Sequence, residues 1–350
     1  MSVPPSDIAG ASRRLPALPL VSILLPARDA ADTLGSCLAS VRRQTLADWE
    51  CVVVDDGSRD ATAAVAARVA AADARVRVVR TPGLGLVAAL ETGLASCRGD
   101  LVARMDADDV MRRTRLAEQV AALAAAPGLV AVGSHVRLVP RAGLRDGRRE
   151  YERWLNAIDS PARVRAEAFV ECPVAHPTLM IRAAVLRAFG YCDRPWPEDY
   201  DLVLRLLAAG REIGVVPRRL VLWRDRPTRL SRTSARYGLD RFTACKAAFL
   251  AAGFLAAGEH YVLGGYGATG KALFRALAAH GKRPTHIVEL HPGRLGKTIH
   301  GARVIPPAAL AALPRRPIVV SVAHAAPRAE ARATLAAMGF EELRDFVCAA

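Results

Sequence analysis

Residues 21–105 hold four short apolar runs, each separated from the next by an amphipathic stretch of helical period. Val21–Leu25 reads as a buried strand and Asp32–Arg43 as a helix. Trp49–Val54 reads as a second strand, and Asp60–Ala72 as a helix capped at Ser58 or Asp60. Arg75–Arg80, Leu86–Ser96 and Leu101–Met105 continue the series as strand, helix and strand. Such alternation with short turns builds βαβ units and a mostly parallel sheet. Right-handed crossovers then bring every strand's C-terminal end to one side, where open α/β sheets gather ligands.

Strand-like sequence resumes over Gly128–Pro140 and ends in a Gly/Arg-rich break. Residues 151–170 read as helical, Pro173–Ile181 as a strand, Glu198–Ala209 as a helix and Arg236–Ala257 as a helical connector. A new βα start follows: a strand at Tyr261–Leu263, a glycine-rich turn, a helix at Lys271–His280 and a strand at His286–Leu290. At 350 residues the chain suits two domains. The expected division is a loose tail over 1–18, a first domain over 19–235, the connector over 236–257 and a smaller domain over 258–350.

A chain 52% hydrophobic and 24% charged is neither collagen-like, coiled-coil nor wholly disordered. Its net charge is +15, from 49 Lys and Arg against 34 Asp and Glu. Only Lys246, Lys271, Lys282 and Lys297 are lysines. That excess would attract nucleic acid, an anionic membrane surface or phosphorylated substrates, or would simply be a solvated surface. No nucleic-acid-binding signature accompanies the scattered arginines, so nucleic acid is not an expected partner. Seven cysteines with no CxxC spacing point to buried thiols in a reducing compartment. The longest apolar run, Ala247–Gly258, is far short of the roughly 20 residues of a membrane span. A cytoplasmic protein is expected, peripheral at most to the inner face of a membrane.

Three acidic clusters stand just after apolar runs or open a helix. Asp55-Asp56-Gly57-Ser58 closes the second strand, where carboxylates face the ligand crevice and accept from a nucleobase or ribose; the alternative is a turn with capping side chains. Arg104-Met105-Asp106-Ala107-Asp108-Asp109 packs three carboxylates into four residues. Their repulsion suits Mg²⁺ or Mn²⁺ bridging substrate phosphates, the alternative being an acidic turn in water. Glu198-Asp199 opens an apolar-faced helix, a place where the helix dipole favours acids whatever their function.

In order and spacing, VSILLPARDAADTLGSCLASVRRQTLADWECVVVDDGSRDAT, ARMDADDVMRRTRL and WPEDYDLVLRLLAAG resemble the inverting family 2 glycosyltransferases of the GT-A fold. The resemblance covers about residues 20–235. It implies a GT-A nucleotide-sugar-binding fold, with a mixed, mostly parallel α/β sheet, and donor binding by Pro26, Ala27, Arg28, Asp29, Asp55 and Asp56. Asp106 and Asp108 become the metal–diphosphate element beside Arg104. Asp199 becomes the general base, with Glu198 alongside. The donor implied is a nucleotide sugar, most commonly a UDP-sugar, and the acceptor a hydroxyl of a glycan or lipid-linked molecule. His176, in Cys172–Thr178, lies on the acceptor side or is a structural histidine. The stretch Leu222–Ser231 resembles the loop that folds over the diphosphate. Many relatives carry a histidine near the place of Arg226, and here Arg224 or Arg229 is available to phosphate instead.

Beyond residue 258, Gly265, Gly267 and Gly270 form a G-x-G-x-x-G turn between strand and helix, and Glu289 ends the next strand. That context matches a dinucleotide fingerprint. The unit resembles the small Rossmann-like domains that precede some sugar acyltransferases; it binds a nucleotide or dinucleotide, or is a structural domain that keeps the turn. Two rivals to the transferase reading are a non-catalytic nucleotide-sugar-binding scaffold and an NAD-dependent oxidoreductase. The first is disfavoured by the complete set of carboxylates, the second by the want of a recognisable hydride-transfer site.

Overall fold

The computed structural model describes residues 19–350; the tail expected over 1–18 lies outside them. The first sheet contains β1 (Val21–Ala27), β2 (Trp49–Asp56), β3 (Val76–Thr81), β4 (Leu101–Arg104), β5 (Val110–Met111), β6 (Leu129–Val139), β7 (Met180–Arg182) and β8 (Glu212–Arg224). Their spatial order is β3-β2-β1-β4-β7-β6-β8-β5. The first four strands are parallel, β7 is antiparallel to both β4 and β6, and β8 runs parallel to β6. Every residue of β1 and β2 is buried, as expected of strands covered on both faces. Ile23, Leu25, Cys51 and Val53 pack with Leu34 and Leu38 of the Ala31–Arg42 helix. The alternate residues Leu24, Val52 and Val54 pack on the other face, in a cluster with Leu90, Leu94, Leu202 and Leu206. This period-two division is what fixes the sheet between two helical layers.

Register then aligns the chemistry. Ala27 stands opposite Asp55, and Leu24 opposite Arg104. The segments Arg28–Asp29, Asp55–Asp56 and Arg104–Asp109 therefore emerge together at one edge.

Four local expectations need correction. Over Pro173–Ile181 the chain makes a 3₁₀ turn at His176–Thr178, and only Met180–Arg182 is strand, because Pro173 and Pro177 remove ladder donors. The helical stretch 151–170 is broken into Asp146–Leu155 and Pro161–Glu167, with Ser160 accepting from the Arg163 N–H. The helix expected from Asp60 starts at Thr62. Asp60 instead accepts from the N–H groups of Thr62 and Ala31, and Ser58 from that of Asp29. The 13-residue β8 was not anticipated, since Pro217-Arg218-Arg219 interrupts its apolar pattern.

The second sheet contains β9 (His260–Gly264), β10 (Arg283–Val288), β11 (Thr298–Ile299), β12 (Ala302–Ile305), β13 (Ile318–Val320) and β14 (Phe346–Cys348). Its order is β11-β12-β10-β9-β13-β14, parallel except at β11. Setting β11 aside, the order is 3-2-1-4-5, that of an open doubly wound sheet. Gly270 lets the Ala268–Ala278 helix sit against the β9 turn: a Cβ there would lie 2.4 Å from the Gly265 carbonyl oxygen. Gly270→Ala should cost about 1–3 kcal/mol, measurable as a lower urea midpoint.

The two sheets are joined by buried contacts. Phe169 and Ala247 pack into the second unit's core, Glu167 pairs with Arg332 at 2.9 Å, and the Lys246 ammonium donates to the Val170 and Ala349 carbonyls. The Leu239–Ala252 helix carries this junction. All seven cysteines are unpaired and six are buried. No helix among the described residues is long and apolar enough to cross a membrane.

Candidate active site

The loop after β1 is exposed at Arg28 and Asp29, while Pro26 and Ala27 are buried inside the strand. Asp29 adopts a φ of 47°, a conformation aspartate tolerates better than most residues. It is held there by bonds to Ser58 and the Arg59 N–H, so its oxygen serves the loop itself. At the β2 end, Gly57 is the one residue type that fits: its φ is +65° and a Cβ would meet the Gly83 nitrogen at 2.7 Å. Asp56 accepts from Thr81 Oγ1 and from the N–H groups of Leu84 and Gly85, at 2.7–2.9 Å, with Arg28 at 3.5 Å. Burial raises its pKa, but these bonds and the Arg28 charge prevail and hold it below the ordinary value. Asp56 thus shapes the 81–85 loop. Asp55 accepts from the Ser58 N–H, faces Arg80 at 3.4 Å and keeps Oδ2 buried without a hydrogen bond.

The segment after β4 is more heavily charged. Arg104, almost fully buried, forms an ion pair with Asp106, whose other oxygen lies 3.5 Å from Arg229. Burial opposes the Asp106 charge, yet the two arginines hold its pKa below the ordinary value. At Asp108 and Asp109 the Arg229 charge pulls the same way but is outweighed. Burial and then the Asp106 charge raise both, Asp109 strongly. Asp109 is fully buried; Oδ1 accepts from the Arg224 N–H at 2.7 Å and Oδ2 has no hydrogen-bond partner among the described residues. One oxygen of each of Asp106, Asp108 and Asp109 lies within 4.8 Å of the others. An orphaned buried carboxylate oxygen in a converging all-oxygen set fits a hard divalent cation such as Mg²⁺ or Mn²⁺.

Glu198 and Asp199 open the Glu198–Ala208 helix, anchored by its buried Tyr200, Leu202, Val203 and Leu206. The Tyr200 hydroxyl also donates to the Ala168 carbonyl. Glu198 is buried, accepts from the Tyr237 hydroxyl at 2.7 Å and lies 3.8 Å from His176 Nδ1. Burial raises its pKa in spite of the Tyr237 bond. Asp199 is half-buried, and its one hydrogen bond is to its neighbour's N–H. Burial, followed by the adjacent Glu198 charge, raises its pKa to about 7. A carboxylate so poised accepts a proton at neutral pH. His176 is buried against Tyr191, 3.0 Å from its hydroxyl, and burial and the Arg104 charge keep it neutral.

Of the residues singled out in sequence, Arg104, Asp106, Asp108, His176, Glu198 and Asp199 are linked by contacts or mutual fields. Arg224 enters through its backbone N–H and a long bond to Ser36. Gly265, Gly267, Gly270 and Glu289 belong to the second sheet, apart from this group; Glu289 pairs with Arg294 at 2.8 Å. Asp109, one of the three carboxylates of the sequence cluster, and Arg229, named there as available to phosphate, join this group. Tyr237 was missed and carries no sequence signal, since its partner is 39 positions away.

Comparison with known proteins bears on the family and the fold. The model of "Glycosyl transferase family 2" matches residues 22–190. The O-antigen biosynthesis protein RfbC of Myxococcus xanthus is 33% identical over 239 residues, covering 67% of this chain but only 18% of that protein. The amylovoran biosynthesis glycosyltransferase AmsE of Erwinia amylovora is 31% identical over 199 residues, covering 56% of this chain and 72% of that protein. The chain spans 31% of the glycosyltransferase EpsJ of Bacillus subtilis and 58% of a Haemophilus influenzae relative. In fold, residues 1–349 of S. aureus TarS, solved with UDP-GlcNAc, match with a TM-score of 0.53 at 16% identity, over 67% of each chain. On these matches the chain belongs to glycosyltransferase family 2.

Proposed function

We propose that this protein is a divalent-metal-dependent, inverting glycosyltransferase. It moves a sugar from a nucleoside-diphosphate donor, with UDP-sugars first in line, to a hydroxyl of a glycan or lipid-linked acceptor. The observation that carries the reading is the convergence of the Asp106, Asp108 and Asp109 carboxylates in one site with a carboxylate poised near neutrality, Asp199. The names of RfbC and AmsE support a role in cell-surface polysaccharide synthesis. A bound Mg²⁺ or Mn²⁺ on the three carboxylates would neutralise charge developing on the leaving diphosphate.

The chain's own groups supply the rest. Arg229, free to exchange Asp106 for a phosphate oxygen, holds the diphosphate, while Asp55, Asp56 and the Arg28–Asp29 loop border the nucleoside. Asp199 takes the acceptor proton as the hydroxyl attacks the anomeric carbon opposite the leaving group, so configuration inverts in one displacement. Glu198, fixed by Tyr237 and near His176, raises the basicity of Asp199. Six buried free thiols suit a cytoplasmic location, with the acceptor presented at the inner membrane face.

The proposed division keeps this chemistry in residues 19–235 and joins it through 236–257 to the unit at 258–350. In that unit, Gly265 has a φ of +88° and a Cβ on Gly267 would meet nothing within 4 Å. This open backbone at a helix start supports a nucleotide or dinucleotide as second ligand, with Glu289 reaching its ribose.

The test is a thermal-shift screen of nucleotide sugars with and without Mn²⁺. The true donor should stabilise by about 2.7 kcal/mol at a hundred times its dissociation constant, and only with metal. Binding without any hydrolysis or transfer would favour the non-catalytic scaffold, and indifference to every nucleotide sugar would overturn both.

A further inference from the structure

A charged cavity lies outside the donor site. It has a volume of about 740 Å³ and is lined by Arg112, Arg113, Arg218, Arg219, His135 and Asn156, among others, with no carboxylate in its wall among the described residues. Its frame is fixed by the backbone. The Arg112 N–H donates to the Leu220 carbonyl, tying the residues after β5 to β8. The Arg112 and Arg113 carbonyls accept from Gln44 and Thr45. His135 and Asn156 spend their hydrogen bonds on the backbone of Ile158 and Val136. The arginines, with the Thr114 hydroxyl beside them, are left as donors available to a ligand.

Their partners set this place apart. Arg218 pairs with Glu118 at 2.7 Å, whereas Arg112, Arg113 and Arg219 form no ion pair among the described residues. In the donor site, by contrast, Arg28, Arg104 and Arg229 each meet a carboxylate. Three uncompensated guanidinium groups around one cavity repel one another, and an anion between them removes that cost. Guanidinium geometry favours phosphate, which it grips with two parallel hydrogen bonds. The cavity is separate from the metal cluster. Asp109 bonds to Arg224 and Arg112 to Leu220, four residues back along β8, or about 13 Å at the rise of a strand.

The geometry points to a second, non-catalytic phosphate-binding site formed by Arg112, Arg113, Arg218 and Arg219. The phosphate is that of an anionic lipid headgroup or one free in solution. The site does not depend on the proposed reaction, and its test is separable from it.

The test compares the full chain with an Arg112→Gln/Arg219→Gln variant and with Arg68→Gln/Arg211→Gln, which removes equal charge elsewhere. In EDTA, inorganic phosphate should raise the melting temperature of the wild type and of the control, but not of the cavity variant. All three should respond alike to UDP with Mn²⁺; a missing response in all of them would count against the donor reading and not against the cavity. Co-sedimentation with vesicles of phosphatidylcholine and phosphatidylglycerol distinguishes the sources. A lipid headgroup predicts that the cavity variant partitions about 30-fold more weakly, from the contribution of each arginine near an anionic surface. Protection by phosphate without vesicle binding assigns the site to the free ion. Wild-type protein indifferent to both probes, or equal losses in the control variant, would overturn the proposal.

Discussion

Asp199→Asn should lower the turnover number by about 10²- to 10⁴-fold, the usual worth of a positioned proton acceptor, and leave donor affinity nearly unchanged. The split follows from what the carboxylate touches. Its hydrogen bond runs to the Tyr200 N–H, which an asparagine oxygen also satisfies, so the helix start and the donor side stay intact. The loss belongs in kcat because the interaction matures only as the acceptor hydroxyl gives up its proton. The pH profile is a second readout. With the Asp199 pKa raised to about 7, the active carboxylate form is depleted as pH falls through that value, and the wild-type rate should drop about tenfold per unit below it. In the variant that acidic limb should vanish. Stability moves the other way. A carboxyl whose folded pKa lies above its unfolded one contributes stability that is present below the unfolded value and lost as pH rises through about 7. The variant should therefore melt higher than wild type at pH 8. A raised donor dissociation constant with kcat spared would make Asp199 a binding or structural group, and Glu198 would be the next residue to test.

The candidate site was legible in sequence wherever it follows from one strand and its turn. Apolar runs that end in Asp55-Asp56 and Asp106-Ala107-Asp108-Asp109 mark β2 and β4, and strands buried on both faces leave little other reading. The Glu198-Asp199 pair was visible from the apolar stripe behind it. What remained hidden depends on pairing between distant segments. Nothing in EIGVVPRRLVLWR announces that it lies between β6 and β5, since the core-facing Val221 is separated from Ile213 by a proline and two arginines. Only that pairing brings the Arg224 N–H to Asp109 and Arg229 to Asp106. The Tyr237–Glu198 bond likewise exists because the chain returns over the site after β8. The cavity at Arg112 and Arg219 had no sequence counterpart at all, because scattered arginines become a cluster only through the β5–β8 register.

Asp109→Asn should weaken Mn²⁺-dependent binding of the nucleoside diphosphate by more than about 100-fold, beyond the 10–100-fold typical of groups that only orient a metal ligand. The same change should make the metal-free protein more stable. In the folded chain Asp109 is fully buried, with one oxygen unpartnered and two acidic neighbours. Burial and then Asp106 raise its pKa well above the ordinary value. An amide keeps an acceptor for the Arg224 N–H and removes the charge. The sign is fixed by linkage: stability is full while the group is protonated below its unfolded pKa, and declines as pH rises through the raised folded value. Metal-free wild type should therefore lose stability from about pH 4 upward, an effect shared with Asp108. Saturating Mn²⁺ should reverse the decline, because a bound dication stabilises the ionised forms. The variant should show a flatter profile and little response to Mn²⁺. Melting curves across pH, with and without the metal, separate these effects from folding damage, since damage would lower stability in both. An Asp109→Asn protein that kept full Mn²⁺-dependent affinity would remove Asp109 from the cation's ligands and leave Asp106 and Asp108 to carry it.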